Sequence, residues 1–103
     1  MTVICYVTCA NEKEAHSIAK SLLEKRLIAC ANIVPKMHSF YWWKGKLLEE
    51  QPESLLLLKT TKQKKARVVQ EIKKMHSYSV PCIEFIHAKA NPEYEKWVIG
   101  ELT

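Results

Sequence analysis

Glycine is scarce in this sequence, since Gly45 and Gly100 are the only two among 103 residues. Two glycines 55 residues apart cannot build a glycine-rich phosphate loop, which excludes the common nucleotide-binding motifs. Long hydrophobic runs are also missing, because no apolar run exceeds five residues. Their absence argues against a spanning helix and against the hydrophobic region of a signal peptide. We therefore expect one soluble intracellular domain over residues 1–103, with no membrane partner.

The four cysteines lack the Cys-x-x-Cys spacing of a structural zinc site, and the four histidines never pair at helical spacing. Cys5 and Cys9 lie four residues apart on a predicted strand, which separates them by about 13 Å along one face. That separation is too long for a disulfide or for direct chelation of one metal ion. Cys30 and Cys82 lie in other apolar segments. The sequence therefore predicts buried free thiols.

Positive charge is concentrated in one segment of the chain, whose net charge is +5. Residues 59–76 contain seven lysines and arginines and a single acid, Glu71. This pattern indicates the solvated face of a helix or a surface that attracts anions. RNA-recognition domains need glycine and aromatic residues in the third strand, whereas this chain has four leucines at residues 55–58. We expect no nucleic-acid partner.

Two long strand-like segments, residues 29–43 and 46–60, meet at Gly45 and predict a β-hairpin. An arm of this length spans about 45 Å, whereas a compact domain of this size has a radius of gyration of about 13 Å. The hairpin should therefore project from its domain, with Tyr41, Trp42 and Trp43 near its tip. Strand alternation sends Trp42 to the face opposite the other two, so at least one large ring needs a partner. We interpret the hairpin as an assembly arm whose interface residues are Tyr41, Trp42 and Trp43.

Proline interrupts both arms of this hairpin. Pro35 predicts a bulge, a bend or an unpaired edge in the first arm, and Gln51-Pro52 predicts a similar interruption in the second. The paired length should be shorter than the full arms.

A capping-box pattern at Asn11 and Glu14 predicts the start of the first helix. Its inward face follows at helical spacing: Ala15, Ile18, Ala19, Leu22, Leu23 and Leu27. Thr60 or Thr61 is expected to cap a second helix that ends near Ser77. The residues expected on its inner face are Ala66, Val69, Ile72 and Met75 or His76.

Two further strands and a tail helix complete the pattern. Residues 2–10 are apolar on both faces, as in a central strand, and residues 82–88 form the fourth strand. Pro92 suits the first turn of a short terminal helix in which Tyr94, Trp97 and Val98 pack. The order predicts an α+β fold, a ferredoxin-like βαββαβ sandwich with a long hairpin between strands two and three and a short C-terminal helix.

Four motifs in order resemble the CutA family of divalent-cation-tolerance proteins, along nearly the whole chain. They are Arg26-Leu-Ile-Ala-Cys-Ala-Asn32, Tyr41-Trp-Trp-Lys-Gly-Lys46, Leu57-Leu-Lys-Thr60 and His76-Ser-Tyr-Ser-Val-Pro81, followed by Tyr94-x-x-Trp97. The resemblance implies a homotrimer of ferredoxin-like subunits whose hairpins embrace their neighbours, as in PII-like signalling proteins. It also implies a cytoplasmic protein involved in tolerance of copper and other divalent metals.

The resemblance further implies a ligand-binding cleft between subunits, formed by Cys30, Asn32, Trp43, Lys59, His76 and Tyr78. Such residues suit a small anion or a metal complex, because they combine a positive charge, hydrogen bonds and apolar walls.

The sequence departs from the family pattern at several positions. Where the family has two carboxylates after its conserved tyrosine, this chain has Ser79 and Cys82, which favours soft ligands over hard cations. Copper-binding members imply a metal site near the first strand and the histidine motif. Here Val7 stands near the cysteine position, with Cys9 two residues further on, and Met75 precedes His76. The set is therefore Cys9, Met75 and His76, a thiolate, thioether and imidazole combination suited to Cu(I).

The expected function is therefore a homotrimeric binding or signalling module in divalent metal, especially copper, homeostasis. Two alternatives remain open. One is a PII-like sensor of a small anionic metabolite in the inter-subunit cleft, and the other is an enzyme that uses Cys30 or His76. We expect no catalytic residues under the leading interpretation.

Overall fold

The computed structural model describes residues 1–102, which form one four-stranded antiparallel sheet and three α-helices. The elements are β1 (Thr2–Cys9), α1 (Glu12–Glu24), β2 (Cys30–Trp43), β3 (Lys46–Thr60), a 3₁₀ turn (Lys62–Lys64), α2 (Lys65–Met75), β4 (Ile83–Ala88) and α3 (Pro92–Glu101). The strand order is β2-β3-β1-β4. The predicted α+β, ferredoxin-like fold is confirmed. Within residues 1–102, no helix is both long and apolar enough to cross a membrane.

The hydrophobic core lies between one face of the sheet and the helices α1 and α2. Inward side chains alternate along β1 and β3, and they pack against the apolar faces of both helices. The fully buried members include Cys5, Val7, Cys9, Ile18, Leu22, Leu56, Leu58, Val68 and Ile72. All of the inward residues predicted for the first helical segment are buried except Leu23, which is 42% exposed and lies at the edge of the apolar stripe.

The start of α1 follows the predicted cap. Asn11 Oδ1 accepts a hydrogen bond from the Glu14 N–H at 2.8 Å, which satisfies a free helix donor. The Glu14 carboxylate does not complete the reciprocal half of a capping box at Asn11. It accepts from the backbone N–H of Ala10 at 3.0 Å instead.

The prediction for α2 is confirmed at Ile72 and His76, which are buried, and at the end of the helix near Ser77, whereas its start and the rest of its inner face are wrong. Thr60 is the last residue of β3 and donates its hydroxyl to the Leu27 carbonyl at 2.7 Å, whereas the Thr61 side chain makes no capping bond. The buried face is Val68, Glu71 and Ile72, while Ala66 and Met75 are exposed. The predicted residues follow one another every three positions, whereas an α-helix has 3.6 residues per turn, so the buried face includes Val68, four residues before Ile72.

The hairpin formed by β2 and β3 has two different halves. From Thr60 to Ser54, β3 pairs with β1 on one side and with β2 on the other. Beyond Ser54, the neighbour of β3 within residues 1–102 is β2 alone, so the distal half is a two-stranded ribbon. The molecule measures 44 × 25 × 22 Å. The predicted projection is confirmed.

The hairpin reverses through a two-residue turn at Lys44 and Gly45, whose φ angles are 50° and 79°. Positive φ at both central residues is typical of the type I′ turn that matches the twist of hairpin strands. Gly45 therefore occupies the position at which the sequence predicts the reversal.

Two bulges divide the hairpin, and their extra residues lie on opposite strands. Between the pairs Val34–Leu55 and Met37–Glu53, β2 has one extra residue, at the Pro35 interruption that the sequence predicts. Between Ser39–Gln51 and Tyr41–Leu48, β3 has one extra residue near Glu50, whose φ is 52°. Pro52 itself pairs in register with His38, so the predicted interruption lies closer to the tip.

Candidate functional site: two clusters on one hairpin

The first cluster joins the base of the hairpin to α3 through Cys30, Lys59 and Tyr94. Cys30 and Lys59 are direct cross-strand partners. Cys30 Sγ lies 3.3 Å from Tyr94 Oη, and Lys59 Nζ donates to the same oxygen at 3.5 Å. The ammonium also lies 5.5 Å from the centre of the Tyr94 ring, in cation–π range. The hydrogen bond with Cys30, followed by burial, raises the pKa of Tyr94 to about 12, so Tyr94 is a neutral phenol near pH 7.

Asn32 extends the first cluster along the face of the sheet that the helices leave uncovered. It lies two residues beyond Cys30 on β2, pairs with Leu57 and is exposed. Residues two apart on a strand point to the same face. The base of the hairpin therefore presents a thiol, an amide and an ammonium side by side.

The second cluster is an aromatic cleft between the ribbon and the loop after α2. A cavity of about 240 Å³ is lined by Tyr41, Trp43, Tyr78, Ser79 and Val80. A cavity of about 380 Å³ shares Tyr41, Trp43 and Val80 with it and continues over the open face of the sheet. We call these two cavities the aromatic cleft. Trp42 does not line it, as the predicted alternation requires.

Glu53 forms part of the aromatic cleft. It is 8% exposed, and its Oε2 accepts a hydrogen bond of 2.6 Å from the Tyr78 hydroxyl. Burial first, and then this hydrogen bond, raise the pKa of Tyr78 well above its usual value. The sequence analysis missed Glu53. The available signal is its alternation with Leu55 and Leu57, which places it on the open face of the sheet.

The two clusters lie at opposite ends of β2. Thirteen residue steps separate Cys30 from Trp43, which corresponds to roughly 40 Å along a strand. The structure therefore groups the predicted cleft residues into two sets, with Cys30, Asn32 and Lys59 at the base and Trp43 and Tyr78 near the tip. A single chain does not bring the two sets together.

His76 belongs to a third group, buried under the loop after α2. Its Nε2–H donates to the Thr8 carbonyl at 2.8 Å, and its Nδ1 accepts from the Tyr78 N–H at 3.1 Å. The imidazole is fully buried, with Glu14 Oε1 3.7 Å from Nδ1. Glu14 also accepts from the Ser77 N–H at 2.9 Å. Both ring nitrogens are thus engaged in holding the loop against β1 and α1.

One potential metal-ligand group contains two of the predicted metal ligands. Cys9, Glu14 and His76 have ligand atoms within 4.8 Å of one another, and Met75 is exposed at the C-terminal end of α2. Burial, and then the charges of Glu14 and Glu53, raise the pKa of Cys9 to about 12. Metal binding requires a thiolate and a free imidazole nitrogen. In this structure the group therefore fits a set of hydrogen bonds that hold the loop after α2 in place better than it fits a resident metal site.

The remaining cysteines are free thiols, as the sequence predicts. Burial raises the pKa of Cys5 to about 12, and burial together with Glu84 raises that of Cys82 to about 11. The prediction of burial holds for Cys5 and Cys9, whereas Cys30 and Cys82 are partly exposed. These two lie in strand-end and loop positions that α1 and α2 do not cover.

Comparison with known proteins identifies one family over almost the full chain. The family model for the CutA1 divalent ion tolerance protein matches residues 3–101. A divalent-cation tolerance protein CutA from Archaeoglobus fulgidus is 50% identical over 78 residues, which cover 76% of this chain and 74% of the relative. A CutA homolog from Xenopus laevis is 43% identical over 94 residues, which cover 90% of this chain and 62% of the relative. The chain thus spans less than two thirds of the Xenopus protein.

The solved structures lead to the same family. The structure of the periplasmic divalent cation tolerance protein CutA from Archaeoglobus fulgidus superposes with a TM-score of 0.95 and 39% sequence identity. The match covers 100% of both chains. The similarity therefore includes the projecting hairpin as well as the sheet and helices.

Proposed function

Because the chain belongs to the CutA1 family of divalent ion tolerance proteins, we propose that it acts in metal tolerance as a binding or signalling module. Its relatives from Archaeoglobus and Thermus are named divalent-cation tolerance proteins. We further propose that the working form is a homotrimer with a ligand cleft between subunits. No catalytic residue is required by this function.

The separation of the two clusters along the hairpin is the observation that carries this proposal. Cys30 and Lys59 lie at the base, and Trp43 lies near the tip, so a second copy must supply one set if both contact the same ligand. A head-to-tail contact repeated in a closed ring joins the tip of each subunit to the base of the next. The exposed ribbon supports the same arrangement, because a lone two-stranded hairpin is marginally stable in water.

The proposed ligand is a metal ion or a metal complex, with copper as the leading metal. Cys9, Met75 and His76 would supply sulfur and nitrogen donors suited to Cu(I). For His76 to bind, its ring must release the hydrogen bond from Tyr78 or the one to Thr8. Copper binding at this set should therefore be accompanied by movement of the loop after α2.

A sensor of a small anionic metabolite is the second candidate, and Lys59 favours it. Within residues 1–102, Lys59 makes no ion pair, and its ammonium contacts only the Tyr94 phenol and ring. An anion in the inter-subunit cleft would provide the missing negative charge. The third candidate is an enzyme using Cys30 or His76. The structure of one chain does not favour an active site in which the two act together. His76 contacts Thr8, which pairs with Leu55, whereas Cys30 pairs with Lys59. Leu55 and Lys59 are four residues apart, about 13 Å along β3, and the two pairs lie on opposite sides of that strand, so His76 cannot act as the base for Cys30 of the same chain.

The test is a ligand screen on the assembled protein, after light scattering has established its mass. Thermal stability is measured with Cu(I), Cu(II), Zn(II) and a panel of carboxylate and phosphate metabolites, because a ligand of the native state raises Tm. The metal proposal predicts stabilisation by copper that His76→Ala removes. Anion sensing predicts stabilisation by one metabolite that Lys59→Gln removes.

Three other results would contradict these proposals. Copper binding that is unchanged in His76→Ala would reject the proposed ligand set, and a monomeric protein would reject the inter-subunit cleft. Turnover of a bound metabolite that is lost in Cys30→Ser would establish the enzyme instead.

A further inference from the structure

The walls of the aromatic cleft have a chemistry that differs from that of a metal or anion site. Aromatic rings dominate the lining, namely Tyr6, Phe40, Tyr41, Trp43 and Tyr78. The face of an aromatic ring carries negative electrostatic potential and attracts cations. Trp43 already shows this property, since the Lys44 ammonium lies 5.9 Å from its ring centre.

Glu53 is the single charged side chain among the residues that line the two cavities. Its carboxylate is buried, and Tyr78 donates to it, but no lysine, arginine or histidine among residues 1–102 forms an ion pair with it. A carboxylate can accept about four hydrogen bonds, so its capacity is not exhausted. A buried charge is costly without a partner of opposite sign. A cation bound in the cleft would supply that partner for Glu53.

From these observations we propose that the aromatic cleft binds a small organic cation, an alkylammonium group held between the aromatic rings and paired with Glu53. This proposal rests on the geometry of one chain and goes beyond the metal and anion functions proposed above. Aromatic walls with one carboxylate are a common arrangement for recognising ammonium groups.

Other ligand classes fit the cleft less well. An anion would meet the negative charge of Glu53. A hard divalent cation needs several oxygen ligands, and the lining offers one carboxylate. The thiol of Cys82 is a poor soft-metal ligand here, because it donates to Glu84 at 3.4 Å and its pKa is raised to about 11. Tyr78 is held protonated beside Glu53, so it adds no second charge near pH 7.

The test compares two probes of similar shape and different charge. Tetramethylammonium and neutral tert-butanol are titrated into the assembled protein, and binding is measured by ligand-observed NMR and calorimetry. We expect the cation to bind at least roughly tenfold more tightly than the alcohol. Equal affinity for the two probes, or stronger binding of citrate than of tetramethylammonium, would overturn the proposal.

Charge is tested by Glu53→Gln, which preserves an oxygen that can accept from Tyr78. We expect this variant to bind tetramethylammonium roughly tenfold more weakly, with unchanged mass. Glu24→Gln is the matched control, because it removes the same charge from an exposed site at the end of α1 and should bind normally. Normal binding by Glu53→Gln would overturn the assignment.

The aromatic wall is tested by a pair of tryptophan variants. Trp43→Leu should lose most of the binding, whereas Trp42→Leu, on the opposite face, should retain it at protein concentrations where both have the wild-type mass. If no probe binds and Glu53→Gln instead weakens assembly, the cleft is filled by a basic side chain of a neighbouring copy. That outcome would reject the small-ligand proposal.

Discussion

The base and the tip of the hairpin are continuous in the chain, yet they differ in what surrounds them. At the base, Leu56 and Leu58 are fully buried under the helices. At the tip, Trp42 is 70% exposed and its cross-strand partner Leu47 is 51% exposed. Both halves are rich in apolar residues, but only the base is covered by its own chain. Apolar content alone thus does not indicate where a hairpin is stabilised.

The base and the tip therefore contribute to two different free energies, that of folding each subunit and that of assembly or ligand binding. Burying apolar surface contributes about 25 cal/mol per Å², so the base stabilises the fold of each subunit directly. The exposed apolar surface of the tip contributes only when a partner or ligand covers it. Substitutions at the base should therefore change folding, and substitutions at the tip should change assembly and binding.

The largest expected effect is a cavity at the base. Leu58→Ala removes a fully buried side chain opposite Cys5 and should lower the free energy of unfolding by about 2–5 kcal/mol. Urea denaturation of wild type and variant measures this loss. Leu47→Ala, the same substitution at the tip, should cost much less at concentrations where the mass is unchanged. Equal losses would remove the distinction between base and tip.

The next effect concerns assembly. Replacing Trp42 and Trp43 together by alanine should weaken the proposed trimer, because aromatic anchors that are buried at an interface contribute about 2 kcal/mol or more each. Light scattering over a concentration series measures the change. Leu23→Ala, which truncates an exposed apolar residue on α1, should leave the mass unchanged. A doubly truncated protein that stayed trimeric with unchanged stability would contradict the assembly role of the tip.

A smaller effect is expected at the turn. Gly45→Ala places a side chain at φ 79°, where an L-residue is strained by roughly 1–2 kcal/mol, although its Cβ would meet nothing within 4 Å. The cost should therefore come from the backbone alone. Gly45→Asn should recover much of the stability in thermal unfolding, because asparagine tolerates this conformation. Equal losses for both variants would indicate a contact with a neighbouring subunit instead.

The smallest effect concerns Glu14, which anchors the loop that faces the tip. Burial opposes its ionisation, but hydrogen bonds from Ala10 and Ser77 and the proximity of His76 outweigh it, so its pKa lies below the usual 4.5. A carboxylate with a lowered pKa stabilises the fold above its unfolded pKa, and this contribution is lost as the pH falls through the folded value. Glu14→Gln should cost about 1 kcal/mol at pH 7. The cost should shrink below pH 4.5 in urea titrations, and a pH-independent cost would contradict this origin.

Much of the fold could be predicted from local patterns. The capping residues at Asn11, the hairpin reversal at Gly45 and the interruption at Pro35 each depend on chemistry within a few residues. The inner face of α2 was predicted only in part, because the three-residue spacing assumed for it drifts from the 3.6 residues of a helical turn and because a charged residue is buried there. Glu71 is buried there through ion pairs of its carboxylate with Lys25 and Lys74, at 2.7 and 3.3 Å, which sequence spacing alone did not reveal.

The candidate site was less predictable because its members meet through tertiary contacts. The resemblance to a family supplied Trp43 and Tyr78, which the structure places around one cleft, and Cys30 and Lys59, which it places at the other end. Glu53 and the contact of Tyr94 with Cys30 were missed, because they join residues 25 and 64 positions apart. The trimer, its interface residues and the copper ligands remain predictions.

The two bulges have a consequence for how such a hairpin can change in evolution. Side chains along a strand alternate with period two, but a bulge places two residues opposite one, so the side chains beyond it keep the faces that strand pairing gives them. Here the extra residue near Pro35 in β2 is offset by the one near Glu50 in β3, and the pairing of Tyr41 with Leu48 returns to the original register. Deleting Lys36 alone would place Val34 and Met37 two positions apart on the face that they already share, and Trp43 would still face the cleft. Each strand of this arm can therefore gain or lose one residue at its bulge without turning the aromatic residues of the tip away from the cleft.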